Sequence, residues 1–409
     1  MPFPAKRPPD GRASWTRGAD GANVRDGRSV TIGYPIVSPA SPISPRRRSA
    51  TVLASSFSRA TIRLVLGAAC ALTLACSQDD LRTGSPSPDG SFLAIGDTGE
   101  PWGPWPSLLE PQLAVGHALE RAHRGSPVDA LVLLGDNFYP EGLRAEELVS
   151  RVIQNVALPY CAFVRPSDAL REALGGACPE AASPPPIYAV VGNHDVMANE
   201  SVRLQQTKVP EYVANWEVPT SERPAIRELP GGLSLIFIVS EWPWDEDATR
   251  ALAEALGRAR GPFRVIVGHR PTISGHPQLL DMVATAARQA NTVVHAYVAG
   301  HVHVLGAIPG ERRGLPRLTV IAGSGAHAEH QPDTEYRVEN ADFLEASLGF
   351  ARFDVFSNAD DADAQPTLRV TLHRVPSLPP LAKFQAPEIA ARYSIDMRGR
   401  IARDENVDR

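Results

Sequence analysis

The sequence has few cysteines and no hydrophobic run long enough to span a membrane. Only 4 of its 409 residues are cysteines. The longest apolar stretch, residues 64–75, is too short to cross a bilayer, because a spanning helix needs about 20 residues. No internal repeat is visible, and 43% hydrophobic with 21% charged residues is an ordinary globular composition. Collagen-like, fibrous and wholly disordered chains are therefore excluded.

The charge is distributed unevenly along the chain. Residues 1–76 contain 11 Lys and Arg against 3 Asp and Glu, whereas the remainder contains 30 against 43. The body of the protein is therefore acidic, with a net charge of −13. An acidic body repels phosphate backbones unless its basic residues cluster, so no nucleic-acid partner is expected.

The beginning of the chain resembles an export signal preceded by an extension. Residues 1–58 are rich in Pro, Gly, Ser and Arg and lack hydrophobic periodicity, so we expect them to be disordered or to precede the true start site. Residues 59–76 place two arginines before the apolar stretch, which is typical of an export signal. The sequence LTLAC at 72–76 resembles a bacterial lipoprotein cleavage box with Cys76 as the lipidated residue. A plain export signal cut near Ala75, or a buried helix, is the alternative.

A polar tether over residues 77–90 is expected to lead into the folded body. Cys161 and Cys178 lie there in an insertion over residues 156–186 that Pro and Gly punctuate. An exported chain permits a disulfide between them, and two unpaired thiols are the alternative. Neither cysteine has a His or Asp setting that suggests a nucleophile.

Five apolar runs of strand length each end in glycine followed by a side chain that can bind a metal ion. They alternate with helical patterns, which predicts an α/β layer architecture. The five endings are Gly96-Asp97, Gly135-Asp136, Gly192-Asn193-His194-Asp195, Gly268-His269 and Gly300-His301-Val302-His303. Glycine lets the backbone turn sharply off a sheet edge, and ligands in such sheets gather beyond the carboxyl ends of the strands. We therefore expect the five endings to converge on one site.

Outside these endings the pattern predicts scaffold. Helical spacing with charged faces covers residues 111–124 and 246–260. Residues 318–322, 350–356 and 368–372 have the pattern of late strands. Residues 376–409, Pro-rich and then charged, are expected to be a C-terminal tail that is either packed along the domain or disordered.

The donors of the five endings favour a pair of metal ions. Carboxylate, imidazole and amide oxygen, with the phenol of Tyr139 three residues after Asp136, are hard and borderline donors suited to iron, zinc or manganese. One carboxylate can bridge two ions held about 3.5–4 Å apart, which generates a hydroxide and clamps a phosphate group. These residues predict hydrolysis of a phosphoester.

The five blocks also match a known family. GDTG (96–99), GDNFY (135–139), GNHD (192–195), IVGH (266–269) and GHVH (300–303) resemble the motifs of calcineurin-like metallophosphoesterases. The tyrosine of the second block resembles specifically the purple, or tartrate-resistant, acid phosphatase branch. The resemblance covers residues 91–375 as a catalytic domain. It implies a four-layer α/β fold, a β-sandwich of two mixed sheets flanked by helices.

The resemblance implies a role for each matching residue. The implied metal ligands are Asp97, Tyr139 and His303 for a ferric ion, Asn193, His269 and His301 for a divalent zinc, iron or manganese ion, and Asp136 as the bridge. His194 matches a histidine that contacts the phosphate and helps to protonate the leaving oxygen, with Asp195 orienting its other ring nitrogen. His276 lies near where the family has a further substrate-contacting histidine. A turn tyrosine at 139 and a solvated loop histidine at 276 are the alternatives.

Some positions depart from the family pattern, and two histidines lie close in sequence to the predicted strands that follow the five blocks. Arg270 follows His269 where the family often has an aromatic residue or a histidine. Two interpretations of Arg270 are open, an exposed charge and a guanidinium that faces the phosphate. The pair Ser240-Glu241 is expected to touch no ligand. His327 and His330 follow a glycine-rich turn. Two interpretations are open for them: one of them approaches the metal site, or both lie in an exposed loop.

The resemblance implies a binuclear phosphatase that hydrolyses phosphate monoesters by attack of a metal-bound hydroxide, in mildly acid medium. Its expected partner is a small phosphorylated substrate, and no protein partner can be inferred. The expected location is the cell envelope after export, with the membrane reached only through the signal or a lipid anchor. The alternatives are a phosphodiesterase or nucleotide hydrolase on the same site, and a catalytically silent envelope protein that binds phosphorylated ligands.

Overall fold

A computed structural model of the chain describes residues 87–100, 110–178, 183–219, 222–241, 244–310, 312–328, 338–357, 365–376 and 379–407. The predicted N-terminal extension and export signal lie outside the described residues, as do most of the predicted tether and His330. In the described part of the chain, no helix is both long and apolar enough to cross a membrane.

The strands and helices follow one another along the whole described body. The strands are Gly90–Ile95 (β1), Ala130–Leu133 (β2), Ile187–Ala189 (β3), Trp216–Glu217 (β4), Ala225–Leu229 (β5), Leu233–Phe237 (β6), Phe263–Val267 (β7), Ala296–Ala299 (β8), Leu305–Pro309 (β9), Leu318–Ala322 (β10), Phe343–Glu345 (β11), Gly349–Phe356 (β12), Thr367–Arg374 (β13), Glu388–Asp396 (β14) and Ile401–Arg403 (β15). The α-helices are Pro111–Gly125 (α1), Leu148–Arg151 (α2), Asp168–Leu174 (α3), Ser201–Thr207 (α4), Val209–Tyr212 (α5), Glu246–Arg258 (α6), Pro277–Gln289 (α7) and Pro379–Phe384 (α8). Short 3₁₀ turns cover Ala145–Glu147 and Pro230–Gly232, and a π-helix covers Val152–Ala157.

These strands form two mixed sheets. The first has the order β15-β14-β13-β12-β1-β2-β3-β4, and its strands β1 to β4 are parallel. The second has the order β11-β9-β10-β8-β7-β6-β5, and β6, β7, β8 and β10 are parallel. Two mixed sheets flanked by helices confirm the predicted fold class. The two helices and three late strands predicted outside the five endings are also present, with ends shifted by up to two residues.

The parallel strands of each sheet are apolar on both faces, because they pack against the other sheet on one side and against helices on the other. Strand β1 shows the alternation, since side chains of a strand point in turn to opposite faces. Phe92 and Ala94 enter the core between the sheets, whereas Leu93 and Ile95 pack in the core that contains α1. A third core lies where α6 and α7 cover the second sheet. Four layers result.

The C-terminal segment differs from the predicted tail. Strand β14 pairs with β13 and β15 pairs with β14, so the segment extends the first sheet. Every second residue of β14, namely Ala391, Tyr393 and Ile395, points into the core between the sheets. Of the two expected states of the tail, packing along the domain is the one found from residue 388 onward, but its two strands were not predicted, because a Pro-rich stretch precedes the alternation of buried residues in β14.

The described residues of the insertion between β2 and β3 pack on the helical side of the first sheet. Cys161 and Cys178 are joined by a disulfide, with their Cα atoms 5.2 Å apart. Tyr160, Phe163 and Leu170 of the insertion are buried in the same core as α1. The disulfide therefore ties the end of the insertion to its beginning.

Candidate metal centre

The candidate ligands lie at the carboxyl ends of parallel strands from both sheets. Asp97 follows β1 and Asp136 follows β2 in the first sheet, whereas His269 follows β7 and His301 follows β8 in the second. The two sheets meet closely at this edge, since a Cβ atom added to Gly96 would lie 3.0 Å from the Cα atom of Gly300. Glycine at this crossing lets side chains from the two sheets reach one another.

Three of these residues have an unusual backbone conformation. Asp97, Asp136 and His301 have φ values of 58°, 52° and 69°. A residue with a Cβ atom seldom adopts positive φ, and the cost persists only where the surrounding structure holds it in place. Each of the three directly follows a glycine at a strand end. The sharp turns place their backbone and side chains at the centre of the site.

Four of the predicted ligands form a first group of contacts, which we call the Tyr139 cluster: Asp97, Asp136, Tyr139 and His303. The hydroxyl of Tyr139 lies 3.2 Å from Oδ1 of Asp97, 3.1 Å from Oδ2 of Asp136 and 3.3 Å from Nε2 of His303. Nε2 of His303 also lies 3.4 Å from Oδ1 of Asp97. The phenol is therefore surrounded by the other three donors.

The remaining predicted ligands surround His269 and form the His269 cluster: Asp136, Asn193, His269 and His301. Nε2 of His269 lies 3.4 Å from Oδ2 of Asp136, 3.1 Å from Oδ1 of Asn193 and 3.2 Å from Nδ1 of His301. Nδ1 of His269 lies 2.8 Å from the carbonyl oxygen of Leu134, to which it donates. Because Nδ1 donates this bond, Nε2 is the nitrogen that a metal ion would bind in place of a proton.

Asp136 joins the two clusters through one oxygen atom. Its Oδ2 contacts both the Tyr139 hydroxyl and Nε2 of His269. Ligand atoms of Asp97, Asp136 and His269 all lie within 4.8 Å of one another. Two donor sets that share a carboxylate fit a pair of cations bridged by that carboxylate. The structure thus brings together all seven residues predicted as metal ligands.

The electrostatics of the cluster favour bound cations. Burial, followed by the charges of Asp97 and Asp136, raises the pKa of Tyr139 well above its usual range. Burial alone would lower the pKa of His269, but the Asp136 carboxylate raises it to about 10. Buried carboxylates so close together are costly unless positive charge offsets them. A bound cation supplies that charge and also favours ionisation of the phenol.

His194 lies at the edge of the Tyr139 cluster. Its backbone N–H donates to Oδ1 of Asp136 at 2.9 Å, and its ring packs on Tyr139 with centroids 4.5 Å apart. Its Nδ1 lies 2.6 Å from the carbonyl oxygen of Pro140, which makes Nδ1 the protonated donor. Nε2 is then the nitrogen that can exchange a proton with a substrate.

The orienting role predicted for Asp195 is wrong. Its fully buried carboxylate accepts the backbone N–H groups of Gly192, Asn137 and Phe138 at 2.9–3.1 Å, together with the amide of Gln205 at 3.0 Å. Burial, and then the charge of Asp136, raises its pKa to about 7. Because the carboxylate is held by these backbone N–H groups, it does not orient the ring of His194. Asp195 instead ties the loop after β2 to the loop after β3.

His276 and Arg270 lie on the side of the His269 cluster. Nη1 of Arg270 is 2.9 Å from Nε2 of His301 and 3.2 Å from Nε2 of His276. His276 is buried, and its burial, followed by the charge of Arg270, lowers its pKa to about 4. The structure thus places His276 beside the site rather than in a solvated loop.

The expectation that Ser240 and Glu241 touch no ligand was also wrong. Oγ of Ser240 accepts the backbone N–H of His269 at 3.0 Å, and Glu241 binds the side chain of Arg270. The contact forms because β6 and β7 are parallel neighbours, so the loops that follow them lie side by side.

Sequence reasoning missed Arg151. This buried residue donates from Nη2 to the carbonyl oxygens of Gly99 and Tyr139, at 3.1 and 2.6 Å. It thereby holds two of the loops that carry ligands. Nothing in the local sequence marks it, because its partners lie 52 and 12 residues away.

His327 also approaches the centre. Its ring centroid lies 4.6 Å from that of His303, and its Nε2 lies 3.4 Å from Oε1 of Glu100. Of the two interpretations left open for this residue, the approach to the metal site is therefore the one that the structure bears out.

Comparison with known proteins agrees with this site. Residues 90–305, more than half of the chain, match the family model of the calcineurin-like phosphoesterase. The chain belongs to this family. All seven candidate ligands of the calcineurin-like phosphoesterase centre lie within the matched region, which makes the protein a metal-dependent phosphoesterase.

Solved structures are similar to this calcineurin-like phosphoesterase at low sequence identity. GAP50, the anchor in the inner membrane complex of Plasmodium, is 16% identical with a TM-score of 0.50, and the match covers 70% of this chain and 84% of that chain. A dimetal phosphatase from Danio rerio is 11% identical with a TM-score of 0.39, covering 74% of this chain and 99% of that chain. No curated protein sequence matches the chain significantly.

Proposed function

We propose that the protein is a binuclear phosphatase of the purple acid phosphatase type that hydrolyses small phosphate monoesters. The observation that carries this proposal is the position of the Tyr139 hydroxyl, 3.1–3.3 Å from Asp136, Asp97 and His303. A phenolate is a hard anionic donor that suits ferric iron. The proposed metals are Fe(III) in the Tyr139 cluster and a divalent zinc, iron or manganese ion in the His269 cluster.

The chain's own residues position the substrate and the protons. Two bound metal ions supply Lewis acidity toward phosphate oxygens and activate water for in-line attack. Asp136 fixes the Tyr139 cluster and the His269 cluster relative to each other, because its carboxylate contacts residues of each cluster. When protonated, His194 donates from Nε2 to the leaving oxygen, while Pro140 fixes the ring through Nδ1.

The same proposal includes export. Residues 59–76 and the LTLAC sequence at 72–76 support a secreted or lipid-anchored protein of the cell envelope. An envelope location also agrees with the disulfide between Cys161 and Cys178, since disulfides persist in oxidising compartments.

Metal analysis, the visible spectrum and ester hydrolysis together test the proposal. The purified protein is expected to contain iron and a second metal and to hydrolyse 4-nitrophenyl phosphate faster than bis(4-nitrophenyl) phosphate. Oxidised protein is expected to be pink to purple, because a phenolate on ferric iron transfers charge to the metal when it absorbs visible light. Chelation should abolish hydrolysis, and return of the metals should restore it.

The variant Tyr139→Phe distinguishes this branch from the wider family. It removes the phenol oxygen and keeps the ring, so the colour should disappear and iron should be held less tightly while the fold remains. Tyr393→Phe is the matched control, because Tyr393 is also buried and its hydroxyl also donates to a carboxylate, that of Asp342 at 2.7 Å. An active, colourless wild-type protein that holds only zinc or manganese after oxidation with iron present would contradict the branch assignment.

A further inference from the structure

Arg270 places a permanent positive charge beside the His269 cluster. Its Nη1 lies within hydrogen-bond distance of Nε2 of both His301 and His276. An arginine cannot lose its proton in a protein, so the guanidinium stays charged. A fixed cation beside a site that binds metal cations is unfavourable unless a negatively charged group joins them there. Glu241 supplies one such group through its ion pair with Nε, and a further anionic ligand would also be attracted to the guanidinium.

The position of Arg270 is fixed from several directions. Its backbone N–H donates to Oγ of Ser240 at 2.8 Å, and its carbonyl oxygen accepts the hydroxyl of Tyr297 at 2.8 Å. Its Nε donates to Oε2 of Glu241 at 2.8 Å. The Glu241 side chain is only 4% exposed, so this ion pair is shielded from solvent on the carboxylate side. Such a side chain is preorganised, and little rotamer entropy remains to be lost on binding.

One nitrogen of the guanidinium is left for a ligand. Nε is used by Glu241, and Nη1 faces the two imidazoles. Among the residues that the structure describes, Nη2 has no hydrogen-bond partner, and the side chain is 23% exposed. A guanidinium carries five N–H donors in a planar fork, so the two N–H groups of Nη2 are those without a partner among the described residues. Phosphate oxygens are the acceptors that this geometry binds best.

We propose that Arg270 is a specificity-determining residue that binds a nonbridging oxygen of the substrate phosphate and favours dianionic monoesters over monoanionic diesters. This inference rests on the proposed function, because it assumes that phosphate binds at the metal clusters. Above about pH 6 a monoester has lost its second proton and carries one more negative charge than a diester, so it gains more from the guanidinium. Glu241 is a positioning residue that holds the fork through Nε.

The test compares Arg270→Met with the wild-type protein, both loaded with metal. Loss of charge-assisted hydrogen bonds should lower kcat/KM for 4-nitrophenyl phosphate by about 10–100-fold and for bis(4-nitrophenyl) phosphate by less than about threefold. The dissociation constant of inorganic phosphate, measured by calorimetry, should rise by a similar factor of about 10–100. Metal content should stay the same, since Arg270 is not a ligand.

Three further variants sharpen the result. Arg270→Lys keeps the charge without the fork and should recover part of the monoester activity. Glu241→Gln should raise KM for the monoester more than it lowers kcat, because it loosens the guanidinium without removing it. Arg124→Met is the matched control, since Arg124 is an exposed arginine on α1 that also pairs with a carboxylate, that of Glu120. It should leave both esters and phosphate binding unchanged.

The inference and the proposed function can fail separately. Equal losses on the two esters, unchanged phosphate binding, or loss of metal from Arg270→Met would overturn the role of Arg270 in a wild-type protein that hydrolyses monoesters. A metal-loaded wild-type protein that hydrolyses neither ester would overturn the proposed function. In that case the calorimetric comparison still decides whether Arg270 binds phosphate. If Arg270→Met does not fold, Arg270→Lys and Glu241→Gln give the same comparison.

Discussion

The Nδ1 atom of His194 lies 2.6 Å from the carbonyl oxygen of Pro140, one residue after the tyrosine at the centre of the site. A carbonyl oxygen only accepts, so Nδ1 carries a proton whether the ring is neutral or charged. The ring is thereby held against Tyr139 with Nε2 as the variable nitrogen. The backbone carbonyl of Pro140 thus orients the ring of His194, a role that the sequence predicted for the carboxylate of Asp195.

His194→Ala is expected to slow substrates with poor leaving groups most. An alkoxide leaving group needs a proton as its bond to phosphorus breaks, and positioned acids contribute roughly 10²–10⁴-fold to such steps. Steady-state rates should therefore fall by about 10²-fold or more on alkyl phosphates and much less on 4-nitrophenyl phosphate. Metal content should not change.

His117→Ala is the control for this variant. His117 is a partly exposed histidine on α1 that lies near Glu120, so its loss should leave both rates unchanged. Equal losses of His194→Ala on both classes of substrate would instead show that His194 only binds phosphate.

Asp195→Asn is expected to destabilise the fold without changing the leaving-group dependence. An asparagine amide would place an N–H group against the backbone N–H groups that now donate to the carboxylate. Unsatisfied buried donors cost about 1–3 kcal/mol each, so the free energy of unfolding should fall by roughly that amount. Chemical denaturation measures this loss. A variant as stable as the wild type, with the kinetic signature of His194→Ala, would restore the orienting role.

His295, outside the metal centre, should make stability depend on pH. Its Nδ1 accepts the backbone N–H of Arg264 at 3.1 Å and its Nε2 lies 3.2 Å from the carbonyl oxygen of Met397, so the folded state needs the neutral ring. Burial lowers its pKa to about 4. The unfolded chain, with a histidine pKa of about 6.5, binds a proton there that the folded chain does not. Stability contributed by the neutral ring is therefore present above about pH 6.5 and lost progressively toward pH 4.

His295→Asn tests this pH dependence, because the amide oxygen can accept the Arg264 N–H and does not titrate. Between about pH 6.5 and pH 4.5, the wild type should lose about 2–3 kcal/mol more of its free energy of unfolding than the variant does. Urea unfolding at the two pH values measures the difference. Parallel losses in both proteins would show that His295 is protonated in the folded state.

Cys76→Ser tests the anchoring that the sequence predicts for a residue outside the described part of the chain. If Cys76 is lipidated in the native host, the variant should move from the membrane fraction to the soluble fraction, because it cannot accept the lipid. Mass spectrometry of the wild-type N-terminus should show a modified cysteine. Unchanged fractionation, or a mature protein that begins elsewhere, would exclude the lipoprotein assignment.

The seven metal-ligand candidates could be predicted from the sequence because their signal is local. Each follows an apolar run of strand length and a glycine, or lies within three residues of such an ending, as Tyr139 does. The physical reason is that a turn at a strand end depends on neighbours in the chain, and parallel strands bring their carboxyl ends to one edge. The α/β layer architecture followed from the same alternation of strands and helices, whereas the sandwich of two mixed sheets was implied by the family resemblance.

Only the tertiary structure decided which residues hold these ligands in place. Asp195 contacts N–H groups 57 and 58 residues away, whereas Ser240 binds His269, 29 residues away, and Arg151 binds Gly99, 52 residues away. Strands β14 and β15 extend the first sheet, and the sequence pattern did not predict them because a Pro-rich segment precedes β14. A hydrogen bond between distant segments depends on how strands are ordered in the sheets, and that order leaves no periodic mark on either segment. The sequence by itself therefore determined the chemistry of the site, and the packing of the two sheets determined its geometry.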